Sequence, residues 1–477
     1  MRGNVDTTIK DGGLGNSASG EDGIQLFVGT AEGGDAKTAY EVKSITEARS
    51  ILKSGELLEF CEHFYGEFDA DKGQVAPPIF LIKPETDIAG SIKAPVKTGT
   101  GSATAAANGT PTAAKIFLLE IILAGACGTA TYRKSSDGGK TWSDEYITPA
   151  SGSSIALGYG VNIVFTDAAT PADSFASGDV WTVESLAPGA STSKILEAIE
   201  TQVQNFDIKM ITVLGATDKA FWAACQQIRT DWEKLFNHYV MFLLSARDRL
   251  SAETVETYSM DLINTSRSFY GRGIVVTCAY GKSIKYGDYR SMLPALAAKH
   301  SAARVHESVG FVDKFAILTF SEIKDYADLA YKDSTTDAWL DLLDNNRLTV
   351  ATKYDDYPGI FFAHANLMTE ESSDYIRSQD LRTVDKVRRI VRQSMMRFIE
   401  SPSHEEAGIG GLKALKADAD DAVAKAMEMK GDREISGHDL NVDPTQDVTK
   451  GVKAKVKIFK IDTMESIEAE VGYSKGA

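Results

Sequence analysis

The residues best placed to do chemistry stand together at Ser135, Asp137, Gly139 and Trp142, within the stretch RKSSDGGKTWSDEY. A carboxylate, hydroxyls and an indole within eight residues raise the question of a glycan-processing site. The spacing S-x-D-x-G-x-T-W favours another reading. Asp and Ser beside glycines are the residues of Asx-type turns, whose side chains bond nearby backbone groups, and an indole suits a packing role. Those are turn-building and packing roles.

Other chemistry finds little support. FVGTAEGG (27–34) sets glycines after a strand, but neither G-x-G-x-x-G nor G-x-x-x-x-G-K-[ST] is present, so it reads as a strand-to-loop turn. The seven histidines are dispersed, and neither Cys61 with His63 nor His300 with His306 has metal-ligand spacing. Cys61, Cys127, Cys225 and Cys278 lack C-x-x-C spacing and read as four buried thiols of a chain folded in a reducing compartment. No catalytic, cofactor or metal residues are assigned, and no cofactor is expected. A net charge of −16 argues against nonspecific nucleic-acid binding. With no apolar run near the ~18 residues of a membrane span and no apolar region in MRGNVDTTIKDGG, the chain is expected to be made in the cytosol, without a Sec signal and without membrane insertion.

The elements that must position these residues fall into blocks. Over 24–85 and 191–310, strand-like IQLFVG, PPIFLIK, IKMITVLG, YVMFLLSA and GIVVTCAYG alternate with helical patterns at 46–65, 191–204, 218–236, 251–269 and 289–304. Ser191, Ser251 and Thr254 stand where N-caps belong. The alternation predicts an α/β domain with a mainly parallel sheet. Residues 86–190 shift to period two in KIFLLEIILAG, GTATYRKS, SIALGYGVNIVFT and GDVWTVESL, which predicts an inserted all-β, sandwich-like domain. Trp142, Tyr146, Tyr159 and Trp181 offer an aromatic platform on that insert, so a glycan-binding or surface-adhesion protein is the alternative reading.

Residues 311–446 read as a C-terminal core domain of α+β character: antiparallel strands at 314–323, 347–354 and 359–368, then a long helix over about 371–399 stopped by Pro402. On its wheel Leu381, Val384, Val387, Val391, Met395 and Phe398 share one face. Arg382, Lys386, Arg389 and Arg397 share the other, which predicts a presented cationic surface. Both ends read as strands without a neighbour to pair with. In residues 1–23, Val5, Thr7 and Ile9 alternate with polar residues ahead of the Gly/Ser/Asp tether DGGLGNSASGEDG. In residues 447–477, Val452, Val456 and Ile458 alternate with lysines, and Ile467 lies in a further short strand, SIEAEVGYS.

Two resemblances follow. SSDGGKTW resembles the Asp-box of sialidases and related β-propellers, where the motif is structural. A propeller needs at least four blades of four strands, roughly 100 residues hold at most two, and no second copy of the motif is present. GIQLFVGTAEGGDAKTAYEVKSITEA, the β-rich SSDGGKTWS…FASGDVWTV insert, YIRSQDLRTVDKVRRIVR and VKAKVKIFKIDTMESIEAEV, in that order, make the chain resemble contractile tail sheath proteins of bacteriophages and related contractile injection systems. That resemblance implies a structural protein, not an enzyme, which stacks as six-membered rings around a tail tube and contracts to drive the tube through a target envelope. It implies neighbouring subunits, the tail tube protein, and baseplate and tail terminator proteins as partners, with terminal arms adding strands to neighbours' sheets. The location implied is a virion tail or injection-device sheath assembled in the bacterial cytoplasm. Arg382, Lys386, Arg389 and Arg397 are then the candidate tube-facing residues. Segment 401–446 departs from the family pattern.

Overall fold

The computed structural model describes residues 21–464 apart from 140, 203–206, 251, 326–333, 355–356, 371, 401–410, 430, 432, 444–445 and 447–450. Two compact units emerge. One comprises Met1–Gln25, His63–Pro78 and Asp207–Ala477; the other comprises Leu26–Glu62 and Ile79–Phe206. The fold is mixed α/β with several sheets, as the sequence alternation predicts.

In the first unit, strands Met210–Ala216, Met241–Ser245 and Gly271–Thr277 lie side by side and parallel, and Leu367–Met368 adds an antiparallel edge. Met241–Ser245 is buried at every position, the pattern of a strand covered on both faces. Helix Lys219–Phe236 starts at an Asp218 cap, whose carboxylate accepts the Phe221 N–H at 2.9 Å. Thr254 caps helix Val255–Arg267 in the same way. Ser191 instead donates its N–H and hydroxyl to Asp87, and Ser251 lies outside the described residues.

Buried polar pairs tie this unit together. Lys299, on helix Leu293–Ala302, lies 2.8 Å from the Glu67 carboxylate, and both side chains are buried. Glu67 also accepts the N–H groups of Leu318 and Thr319. This accounts for one departure from expectation: of the predicted strand 314–323 only Phe320–Ile323 is extended in a sheet, because the preceding backbone donates to Glu67.

In the second unit, the single helix expected over 46–65 is two, Ile45–Leu52 and Glu56–Gly66, the latter passing into the first unit's residues at His63. Lys53 (φ 60°) and Gly55 (φ 110°) take left-handed conformations that break the helical run. The inserted segment forms two sheets. One orders Ser154–Gly158, Val161–Thr166 and Thr104–Gly109. The other orders Ser91–Ile92, Val180–Leu186, Lys115–Leu123, Thr131–Ser135 and Tyr146–Ile147, with Val96–Thr98 also on Val180–Leu186. Alternate residues of both sheets meet in one core containing Phe117, Ile163, Phe165, Phe175 and Trp181. The rings of Phe165 and Trp181 meet edge to face at 4.9 Å.

Candidate assembly surfaces

The long helix runs over Ser378–Met396, and its two halves differ. In the first half Ser378, Gln379, Leu381, Arg382, Thr383, Asp385 and Val387 are all buried, polar and apolar alike. The presented cationic face is therefore corrected. Arg382 is only 7% exposed, donating to the Ala303 carbonyl at 3.2 Å, with its second terminal nitrogen unpartnered among the described residues. Burial pushes its guanidinium down to about 10, offset by the nearby Asp22, Glu434 and Glu307 charges. Lys386 binds Asp22 at 2.8 Å and Glu434 at 2.7 Å, and Arg389 binds Asp22. Burial opposes the charge on Asp22, but Lys386 and then Arg389 hold its carboxyl below the usual range. Arg397 pairs with Asp418 and alone of the four keeps a largely exposed side chain. An amphipathic wheel locates cations opposite the apolar stripe; it does not reveal that other elements cover both faces of the first half.

Asp22 matters for a second reason, which sequence reading missed. Around it the chain is fixed by Gly23, whose carbonyl accepts the Ser301 hydroxyl at 2.8 Å, and by buried Gln25, bonded to the Ala297 carbonyl and the hydroxyls of Ser301 and Thr212. The root of the N-terminal segment is thus held on helix Leu293–Ala302 through Gly23 and Gln25, and on the helix that carries Lys386 and Arg389 through Asp22. The only signal in the sequence was the acidic pair Glu21–Asp22 at the end of a glycine-rich tether.

The second half of the helix belongs to an open lobe. Helix Leu412–Met427 and the antiparallel pair Gly437–Val442 and Ala454–Phe459 complete it. Leu440 opposite Val456, and Val442 opposite Ala454, turn inward onto Leu415 and Ala419. Val456 and Ile458 also pack against the cluster of Val387, Val423, Met427 and Ile435. The expectation that this terminal strand lacks a partner is corrected: Gly437–Val442, in a segment the sequence reading left unmatched, supplies one edge. Among the described residues its other edge is unpaired, and the sheet has two strands. Val452 precedes the strand and is 41% exposed. Val5, Thr7, Ile9 and Ile467 lie outside the described residues. Beside the strand, an apolar groove of about 680 Å³ is lined by Val391, Met395, Met396, Leu412, Val452 and Ala454, among others.

The Ser135–Trp142 segment links strand Thr131–Ser135 to Tyr146–Ile147, which pair antiparallel. Ser135 Oγ accepts the Gly139 N–H at 2.9 Å, and Asp137 Oδ1 accepts the Thr141 N–H at 2.9 Å. The Trp142 ring is half-buried with the Arg133 guanidinium 4.5 Å from its centre. All the polar partners of Asp137 named here belong to its own turn. The aromatic platform is not assembled, because Trp181 is in the core. The four cysteines are free thiols, but Cys127 and Cys278 are only partly buried. Among the described residues, no group of three metal-ligating side chains occurs and no helix is long and apolar enough to cross a membrane.

The profile of the DUF2586 N-terminal domain matches residues 2–366 of this sequence. The chain belongs to the DUF2586 family. One stretch of this DUF2586 chain is 40% identical over 58 residues to the tail sheath protein of Staphylococcus phage Twort, covering 12% of the chain and 10% of the phage protein. The matched stretch is thus about a tenth of that relative's length. Similarity of fold extends much further. The sheath tail protein of Desulfitobacterium hafniense superposes with a TM-score of 0.51 at 14% identity, over 96% of this chain and 100% of that one. The contracted PVC sheath complex of an extracellular contractile injection system does so with a TM-score of 0.53 at 8% identity, over 99% and 98%. The DUF2586 chain has the fold of contractile tail sheath proteins.

Proposed function

We propose that this chain is a structural subunit of a contractile sheath, polymerising as stacked six-membered rings around a tail tube and shortening to drive that tube through a cell envelope. The observation that carries the reading is a C-terminal sheet that, among the described residues, has two strands and one unpaired edge, within a sheath fold. A two-stranded sheet is marginal by itself, and an unpaired edge beside an apolar groove suits addition of a strand from another chain. Residues 1–10 and the C-terminal segment would supply such strands, linking neighbours while their bodies rotate and slide. Free energy for contraction would reside in the subunit interfaces, without nucleotide hydrolysis. Neighbouring subunits are the main partners. The tail tube, baseplate and terminator proteins are further ones, and a tube contact on the long helix would fall at Arg397, whose side chain stays largely exposed beside Asp418 while Arg382, Lys386 and Arg389 are mostly covered. The device would be a virion tail or an injection sheath built in the bacterial cytoplasm. Electron microscopy of the purified protein is the test: long hollow cylinders are expected, whereas monodisperse particles under all assembly conditions would overturn the reading. Deleting residues 1–15 should abolish cylinders while leaving a folded subunit.

A further inference from the structure

We infer that in the unassembled subunit the groove beside Ala454–Phe459 is occupied by the chain's own N-terminal segment, docked through the face carrying Val5, Thr7 and Ile9. This rests on the arm-exchange reading for its consequence but on separate observations for its geometry. The groove is apolar and open, with Met396 and Ile399 exposed at its rim by 45% and 63%. The root of the segment is fixed nearby. Asp22 is bonded to Lys386 and Arg389, on the helix whose last turns line the groove. From Arg389 to Met396 is about 10 Å at 1.5 Å per residue. The residues between Ile9 and Asp22 reach up to ~40 Å, so the segment spans that distance with slack to reverse direction.

Chemistry matches as well. Val5, Thr7 and Ile9 fall on one side of an extended segment, while Asp6, Thr8 and Lys10 fall on the other. One side can therefore enter the groove as the backbone meets the unpaired strand edge. A Gly/Ser-rich tether of this length holds its cargo at an effective concentration on the order of mM, so a weak contact suffices to fill the groove within one chain. A neighbour's segment must displace the resident one before strands can be exchanged. The lone subunit is thereby kept from polymerising at random, and the first ring becomes the slow step.

The test uses the full chain with a benzophenone amino acid at Ile9, irradiated as dilute monomer. The adduct is expected on Met395, Met396, Leu412 or Val452 of the same chain, at a yield unchanged by serial dilution. Met396→Glu with Ile399→Glu should lower that yield by about tenfold or more, because carboxylates then face the apolar side of the segment. Neither side chain belongs to the buried core, so the body should still unfold cooperatively, its melting temperature lowered by no more than the weak docking contributes. An adduct elsewhere, a yield that falls with dilution, or one indifferent to the double substitution would overturn the docking. Cylinders formed by a protein without the intrachain adduct would sink this inference alone; the adduct without cylinders would sink the sheath reading alone.

Discussion

The inserted sandwich and the C-terminal lobe are both small sheets over hydrophobic clusters, yet they end differently. In the insert, Phe117, Phe165, Phe175 and Trp181 are essentially inaccessible, and the two sheets close on each other. In the lobe, two strands lie over two helices, Val391, Met395 and Phe398 are only partly covered, and a groove of about 680 Å³ remains. A closed core needs nothing further. An open one retains apolar surface whose burial is worth roughly 25 cal/mol per Å² to whatever covers it. The difference separates a core whose two sheets cover each other from one that, among the described residues, keeps apolar surface open.

The largest effects should therefore come from the closed core. Trp181→Ala should cost about 3–5 kcal/mol and confine its damage to the insert, seen in calorimetry as one early transition ahead of a preserved main one. Met427→Ala, in the lobe, removes a side chain equally inaccessible in the described structure. It should cost only about 2–3 kcal/mol, the low end for such truncations, because an open cluster relaxes into the space created. Equal losses at the two sites, measured by denaturant unfolding, would erase the contrast between closed and open cores.

The sequence showed the insert well and the lobe poorly, for a physical reason. Period two in KIFLLEIIL and VNIVFT is imposed by one buried face, so it survives in a single sequence. The pattern A-K-V-K-I-F likewise marked a strand, but its partner G-H-D-L-N-V carries only Leu440 and Val442 inward, too little for periodicity to register. His438, the third residue facing inward there, bonds Glu428 at 2.6 Å instead of entering the apolar cluster. The helix Ser378–Met396 was legible as a helix, and its cations as cations. That Asp22, more than 350 positions earlier, pairs with two of them is a tertiary fact no local pattern encodes.

The root of that helix is closed like the insert, but with polar groups, and this distinguishes the regions by pH. His300 is buried, its Nδ1 2.9 Å from the Leu296 carbonyl and its Nε2 3.0 Å from the Ser378 hydroxyl, which fits a neutral ring donating at Nδ1 and accepting at Nε2. Burial, with the Arg382 charge, pushes its pKa down to about 3. The unfolded chain takes up this proton near pH 6.5 while the folded chain refuses it. Stability is therefore full above about pH 6.5 and falls toward pH 3 by up to about 1.4 kcal/mol per unit, or about 2 kcal/mol at pH 5. His300→Gln should flatten that slope. The insert contains no histidine, so its own unfolding should be nearly indifferent between pH 7 and 5.

The smallest predicted effect lies in the insert's most conspicuous motif. Asp137 Oδ1 accepts the Ser135 hydroxyl at 2.7 Å and the Thr141 N–H at 2.9 Å, while Oδ2 takes the Thr141 hydroxyl at 2.5 Å. Ser135 passes the restraint on by accepting the Gly139 N–H, and the Gly138 N–H reaches the Ile116 carbonyl at 3.0 Å on the adjoining strand. The carboxylate thus fixes a turn against a sheet that is already closed, so its removal should loosen the turn without opening the core. Asp137→Ala should cost the insert about 1–2 kcal/mol, the loss of its turn hydrogen bonds partly made good by water. Asp137→Asn should cost less, because its carbonyl oxygen can still accept the Thr141 N–H. Cylinder formation should persist in both variants. A glycosidase activity abolished by either substitution would instead make the carboxylate a catalyst, and the closed module would have to be read as a functional site in its own right.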